Sequence, residues 1–157
     1  MDRFVERCAG LDVHKDSVAA TVCVPGSGGE RVQETRTFPT TTRGLLTLAD
    51  WLTSYGVTLV GMESTGCYWK PVFYLLEERF ECWLLNPRHL RNVPGRKTDV
   101  ADSAWICELV EHGSAWLRPW RGRKATHFPP ISPITNGADG LPYGGLSSTS
   151  STSSRNA

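Results

Sequence analysis

Between Phe4 and Val24 the chain carries two runs rich in β-branched and small apolar residues, 8–13 and 17–24, parted by the polar His14-Lys15-Asp16. That pattern predicts two strands joined by a tight turn. Pro25-Gly26-Ser27-Gly28-Gly29 predicts a second turn, and residues 30–38 a third strand whose alternation is polar enough for a sheet edge. Short links between three consecutive strands predict an antiparallel meander. Pro39-Thr40-Thr41-Thr42 then offers helix N-caps, and Leu45, Leu48, Ala49 and Leu52 recur at helical spacing as far as Tyr55, where Gly56 stops the helix.

Residues 57–62 form a continuous apolar run, as in a strand buried on both faces, and the run ends on Glu63. After Ser64-Thr65-Gly66 the spacing predicts a second helix over 68–79, with Pro71 tolerable only in its first turn. A further strand is predicted over 80–85, with Cys82, Leu84 and Leu85 inward, broken by Asn86-Pro87. A basic loop follows, and Thr98 caps a helix expected over 99–111, with Val100, Ala104, Ile106, Leu109 and Val110 on its buried side and Gly113 as its stop. The order βββαβαβα predicts an α/β fold. A meander followed by right-handed crossovers gives a five-stranded mixed sheet, order 3-2-1-4-5, with helices on its faces.

Length and composition narrow this further. At 157 residues, 39% of them apolar, the chain is large enough for one domain with a real core. No run reaches the roughly 18 to 20 apolar residues that spanning a bilayer needs, and the N-terminus has no signal-peptide pattern, so no membrane association and a cytoplasmic location are expected. Cys8, Cys23, Cys67, Cys82 and Cys107 are odd in number, widely spaced and mostly set in apolar runs. Buried thiols are therefore expected, rather than a zinc site or disulfides.

The net charge of +1 is unevenly spread. Residues 1–118 carry 13 Lys/Arg and 15 Asp/Glu, a net of −2, while residues 119–157 carry 4 and 1, a net of +3. Arg88, His89, Arg91, Arg96 and Lys97 fall in a stretch without an acid, a candidate phosphate-contacting patch or simply a solvated loop. From residue 119 onward the periodicity stops, prolines and glycines accumulate, and the chain closes on a serine/threonine tract. That composition buries too little surface to offset its ordering entropy, so residues 1–118 are expected to fold and 119–157 to be disordered.

Asp12 is the residue around which a site forms. It lies within the first strand, near its end, where a charge costs several kcal/mol unless cationic side chains or a metal pair with it. With the first strand beside the fourth, Asp12 and Glu63 become neighbours near the ends of parallel strands, where open α/β sheets place their sites. Asp99 and Asp102 are three apart, so they share a face in the expected first turn of the last helix, where the dipole favours anions. Four carboxylates drawn together repel unless cations neutralise them, and hard divalent ions with oxygen ligands do so. A pair of such ions about 3.5 to 4 Å apart clamps both sides of a phosphodiester displacement.

Each residue also has a plainer reading. Asp12 and Glu63 are acceptable at a strand end, and Asp99 suits a helix N-terminus. His14 fits a surface turn better than it fits a ligand or general base. Tyr68 and Trp69 begin an amphipathic helix as core residues do, although aromatic side chains also stack on bases.

In sequence order, Gly10-Leu-Asp-Val-His-Lys15, Glu63-Ser-Thr-Gly66 followed by Tyr68, Asn86-Pro87, and Lys97-Thr-Asp-Val-Ala-Asp102 resemble the N-terminal domain of the DEDD transposases. These are insertion-sequence recombinases with a RuvC-like, ribonuclease H-type fold, guided by a bridge RNA. The resemblance covers roughly residues 6–118. It implies that Asp12, Glu63, Asp99 and Asp102 form a catalytic, metal-binding tetrad for Mg²⁺ or Mn²⁺. It further implies DNA and a guide RNA as partners and a homo-oligomer, and Arg88, Arg91, Arg96 and Lys97 of the basic stretch are the candidate contacts to nucleic-acid phosphates. The family commonly has Ala where this chain has Ser103, a change that leaves the expected ligands intact. The family also continues into a second domain that supplies a nucleophilic serine. No serine in this chain has flanking structure of that kind, so the chain is expected to be a truncated or frame-disrupted copy. Two rival classes carry other expectations: a non-catalytic RNA- or DNA-binding module of the same fold, and a fragment of an actin-like or sugar-kinase ATPase, which would need glycine-rich phosphate loops.

Overall fold

The structure is a computed structural model that describes residues 5–91, 93 and 101–113. Strands β1 (Cys8–Val13), β2 (Ser17–Pro25) and β3 (Arg31–Pro39) form the expected antiparallel meander. The first hairpin is closed by His14 N–H donating to the Ser17 carbonyl at 2.9 Å. Helix α1 (Thr42–Ser54) crosses to β4 (Leu59–Ser64), and α2 (Trp69–Leu76) crosses to β5 (Glu81–Leu84). Both crossovers return parallel, β4 beside β1 and β5 beside β4, and the sheet order is β3-β2-β1-β4-β5, as the sequence pattern predicts. The short helix α3 (Pro87–Arg91) and the helix α4 (Asp102–Glu111) complete the described chain. No helix among the described residues is long and apolar enough to cross a membrane.

Local chemistry accounts for the helix ends. The Thr41 side chain accepts from Gly44 N–H at 3.1 Å to cap α1, and Gly56, at φ +66°, takes the left-handed conformation that ends it. Pro71 sits at the third residue of α2, where its missing N–H costs nothing.

The alternation along β1, β2 and β4 divides the interior into two layers. Leu11, Val13, Val18, Val22, Val60 and Met62 pack against Leu48 and Leu52 of α1 and Phe73 and Leu76 of α2. Burial of each large side chain contributes about 1.5–3 kcal/mol, so this layer supplies most of the apolar stabilisation. On the other face Cys8, Cys23, Leu59 and Trp83 pack against Trp105, Ile106, Leu109 and Val110 of α4 and against Leu90 of α3. The polar edge expected of β3 is present, with Phe38 its one buried residue. The C-terminal end of α4 is tied to that strand by an ion pair, Arg31 Nε to Glu111 Oε1 at 2.8 Å, in which the Glu111 side chain is 7% exposed.

Three features differ from the expectations. The stretch after Asn86-Pro87 opens as a helical turn rather than a loop, because Asn86 Oδ1 accepts from Arg88 N–H at 2.9 Å and so caps it. Helix α4 begins at Asp102 with Ala101 as its N-cap, three residues later than expected, and Thr98 and Asp99 lie outside the described residues. The cysteines also differ: Cys8 and Cys82 are buried thiols and Cys67 is exposed, but Cys23 and Cys107 pair as a disulfide between β2 and α4. Spacing along the chain carries no sign of that pairing, which joins residues 84 apart. Residues 119–157, with the expected domain boundary before them, lie outside the described residues.

The cysteine arrangement gives a direct expectation. Alkylation of denatured, unreduced protein should modify Cys8, Cys67 and Cys82 and spare Cys23 and Cys107, with all five labelled after reduction. In the native protein Cys67 should react first. Burial, reinforced by Glu111 beside Cys8 and by Glu77 and Glu81 near Cys82, pushes both other thiols up to about 12. Peptide mass mapping reads all three conditions, and labelling of Cys107 without reductant would refute the pairing.

Candidate active site

Asp12 and Glu63 are register partners on the adjacent parallel strands β1 and β4, at the strands' C-terminal ends. Partners across a ladder project to the same face, here the face that α4 covers. The two carboxylates line a cleft of about 240 Å³ together with His14, Thr65, Pro87, Leu90, Asp102, Trp105 and Ile106. Three of the four expected acids thus come to one place, on β1, β4 and the first residue of α4. The fourth, Asp99, lies outside the described residues, as do Arg96 and Lys97.

The Asp12 side chain is 13% exposed and accepts a hydrogen bond from His14 Nε2 at 2.9 Å. His14 itself is 54% exposed at the rim of the cleft. The surface position expected of His14 is therefore correct, but its place two residues beyond Asp12 puts it on the same side of the chain, where it holds one carboxylate oxygen. Asp102 is exposed and lies in the first turn of α4, where the helix dipole favours its charge. Pro87, Leu90, Trp105 and Ile106 supply the apolar part of the lining. Trp105 is legible in the sequence in principle, since a residue three after Asp102 on a helix shares its face. Pro87 and Leu90 are not, because their segment reads as loop. Of the expected nucleic-acid contacts, Arg88 is exposed on α3 and Arg91 ends that helix. Tyr68 is exposed where the chain enters α2, whereas Trp69 is buried against Phe73.

Among the described residues, no three His, Cys, Asp or Glu side chains converge closely enough to enclose an ion. Mg²⁺ does not require that. It is held through one or two carboxylates and otherwise by water and substrate phosphate, and the hard oxygen donors of Asp12 and Glu63, with Asp102 lining the same cleft, suit it.

Comparison with known proteins gives the family and the fold. The family model of DEDD transposases of the IS110 kind, described as "Transposase", matches residues 9–126. The chain belongs to that family. The span contains nearly all of the described sheet and all four acids that the motifs single out. No curated protein matches this DEDD transposase chain. Among solved structures, it is similar to "T. thermophilus RuvC in complex with Holliday junction substrate", with 10% identity and a TM-score of 0.50 over 74% of this chain and 100% of that one. A second, "Thermus thermophilus RuvC structure", aligns at 11% identity and a TM-score of 0.48 over 73% of this chain and 99% of that one. At 10% identity the first of these establishes the fold alone, which is RuvC-like and ribonuclease H-like. The chain is a transposase domain acting in DNA recombination, and neither the nucleic-acid-module nor the ATPase reading has support.

Proposed function

We propose that this transposase domain cuts and exchanges DNA strands in a metal-dependent reaction, with Asp12, Glu63, Asp99 and Asp102 as its ligands for Mg²⁺ or Mn²⁺. The observation that carries the reading is the register pairing of Asp12 with Glu63 at the ends of parallel strands, with Asp102 lining the same cleft. Divalent ions at this place would supply electrostatic stabilisation to the phosphodiester and its leaving oxygen. The protein's part is to hold the carboxylates. β1 and β4 fix Asp12 and Glu63 through their ladder, His14 restrains one oxygen of Asp12, and the first turn of α4 carries Asp102.

Arg88, Arg91, Arg96 and Lys97 are proposed to contact phosphates of the DNA or of a guide RNA, since they follow β5 in the chain and the segment opens with Pro87 and Leu90, which line the cleft. The likeness to a RuvC whose structure holds a Holliday junction substrate favours a branched DNA as the ligand. Association into a homo-oligomer, a cytoplasmic location, and a division of the chain into a folded part over 1–118 and a tail over 119–157 complete the reading.

DNA binding gives the test. Anisotropy measured over a range of salt should show affinity falling with salt. Changing the four basic residues to Ala should make that slope shallower by about 0.9 for each phosphate that is no longer neutralised. On a branched substrate, nicking should need Mg²⁺ or Mn²⁺ and should be abolished in Glu63→Gln. Metal-independent nicking, or nicking retained by Glu63→Gln, would overturn the metal role. An unchanged salt slope would remove the basic residues from the interface.

A further inference from the structure

One row of residues crosses the sheet beneath α4. Thr35 on β3 is the register partner of Thr21 on β2, Thr21 of Gly10 on β1, and Gly10 of Gly61 on β4. The two glycines and the two threonines do different things. Gly10 and Gly61 present no side chain, so the helix descends onto the strands until Ser103 and Cys107 lie against Gly10 and Ile106 and Val110 lie against Gly61. Thr21, wholly buried, extends upward and its Oγ1 meets Ser103 Oγ at 2.8 Å, and on its other side it meets Thr35 Oγ1 at 2.7 Å. A chain of three hydroxyls therefore runs from the edge strand, under the helix, into the first turn of α4.

Apolar contacts and glycine flatness fix how close the helix lies, but they are tolerant of rotation about its axis. A hydroxyl buried at 1% exposure is not, because without its partner it becomes a polar group that water cannot reach. Ser103 directly follows Asp102, so the angle at which Ser103 meets the sheet sets, one residue and about 100° away, the direction in which Asp102 leaves the helix. A second link, Cys107 to Cys23, lies four residues on along the helix and two along the strand. It lies one turn beyond Ser103 on the same face, so the two links act together while it is closed and the hydroxyls alone remain once it is reduced.

We propose that Ser103 and Thr21 are positioning residues for the metal centre, setting the helix turn that aims Asp102 at the carboxylates of Asp12 and Glu63. This rests on the proposed metal role of Asp102. Removing a group hydrogen-bonded to a metal ligand commonly weakens metal affinity 10- to 100-fold, and residues that act on the ligand through the backbone are expected at the low end of that range. Ser103→Ala and Thr21→Val, the latter nearly isosteric, should each weaken Mn²⁺ binding about tenfold. Thr21→Ser, which keeps the hydroxyl, should restore it.

Calorimetric titration with Mn²⁺, with reductant present and well below the melting temperature of every variant, measures this without reference to activity. Val18→Ala serves as the control, since Val18 is buried on the opposite face of the sheet and its truncation lowers stability without touching the hydroxyls. A merely structural role for the pair predicts unchanged affinity in the folded variants. Equal affinity in the native chain, Ser103→Ala and Thr21→Val would overturn the inference, as would an equal loss in Val18→Ala. Absence of Mn²⁺ binding by the native chain would instead overturn the metal reading, and this inference with it.

Discussion

Gly10→Ala should lower the melting temperature by more than any other single-methyl change in the sheet. A Cβ at Gly10 overlaps the backbone oxygen of Ser103 and the backbone nitrogen of Cys107, and lies 2.9 Å from the Cys107 Cα. These are main-chain atoms of a helix, so no rotamer relieves the overlap and α4 itself must lift from β1. Overpacking in a tight core costs about 1–3 kcal/mol where side chains yield, and more where they cannot. A loss of about 3 kcal/mol is expected, roughly 12 °C in a domain of about 118 residues, from a total stability of about 5–15 kcal/mol. Gly61→Ala is the informative comparison. Its overlap is with the Val110 Cγ2 methyl, a side-chain atom and not helix backbone, so its cost should be smaller than at Gly10 yet still measurable, because Val110 is wholly buried and stiff at χ1. Thermal and urea unfolding of the two variants decide the matter, and equal losses would mean that α4 is not seated on backbone at Gly10.

Gly10 also shows where reading the sequence stops. Its place in the run 8–13 is plain, and its pairing partners follow once the strand order 3-2-1-4-5 is fixed by the meander and the two crossovers. The same reasoning puts Asp12 beside Glu63 before any coordinates, because the period of a strand and the ends of the two runs leave little freedom in register. What periodicity does not encode is how near a helix comes to the sheet beneath it. The seating of α4 on Gly10, the hydroxyls of Thr21 and Ser103 and the pairing of Cys23 with Cys107 all depend on that distance. The start of α4 escapes the sequence for a different reason. Thr98 makes an acceptable N-cap locally, yet the described helix begins at Asp102, and Ala101 caps it without a side-chain hydrogen bond. The role of His14 escapes it because a turn residue weighed alone leaves out the carboxylate two residues before it.

The same three carboxylates give a prediction whose sign reverses with metal. In the metal-free protein Asp12 shares a small cleft with Glu63 and Asp102, and like charges at such separations repel in proportion to how little water screens them. Asp12→Asn keeps the shape and an acceptor for His14 Nε2 while removing one charge, so without divalent ions it should melt no lower than the native chain. With Mn²⁺ or Mg²⁺ at a hundredfold excess over Kd, a site present only in the folded state stabilises it by about 2.7 kcal/mol. The native chain should therefore gain roughly 11 °C. Asp12→Asn should gain little, and the order of the two melting temperatures should invert. Asp102→Asn should behave alike. Asp50→Asn, at an exposed carboxylate on α1 that pairs with Arg79, should leave the metal increment untouched. A native chain whose melting ignores both metals would show that the acids, though gathered in one cleft, do not form a metal centre. A full increment in Asp12→Asn would move that centre away from β1.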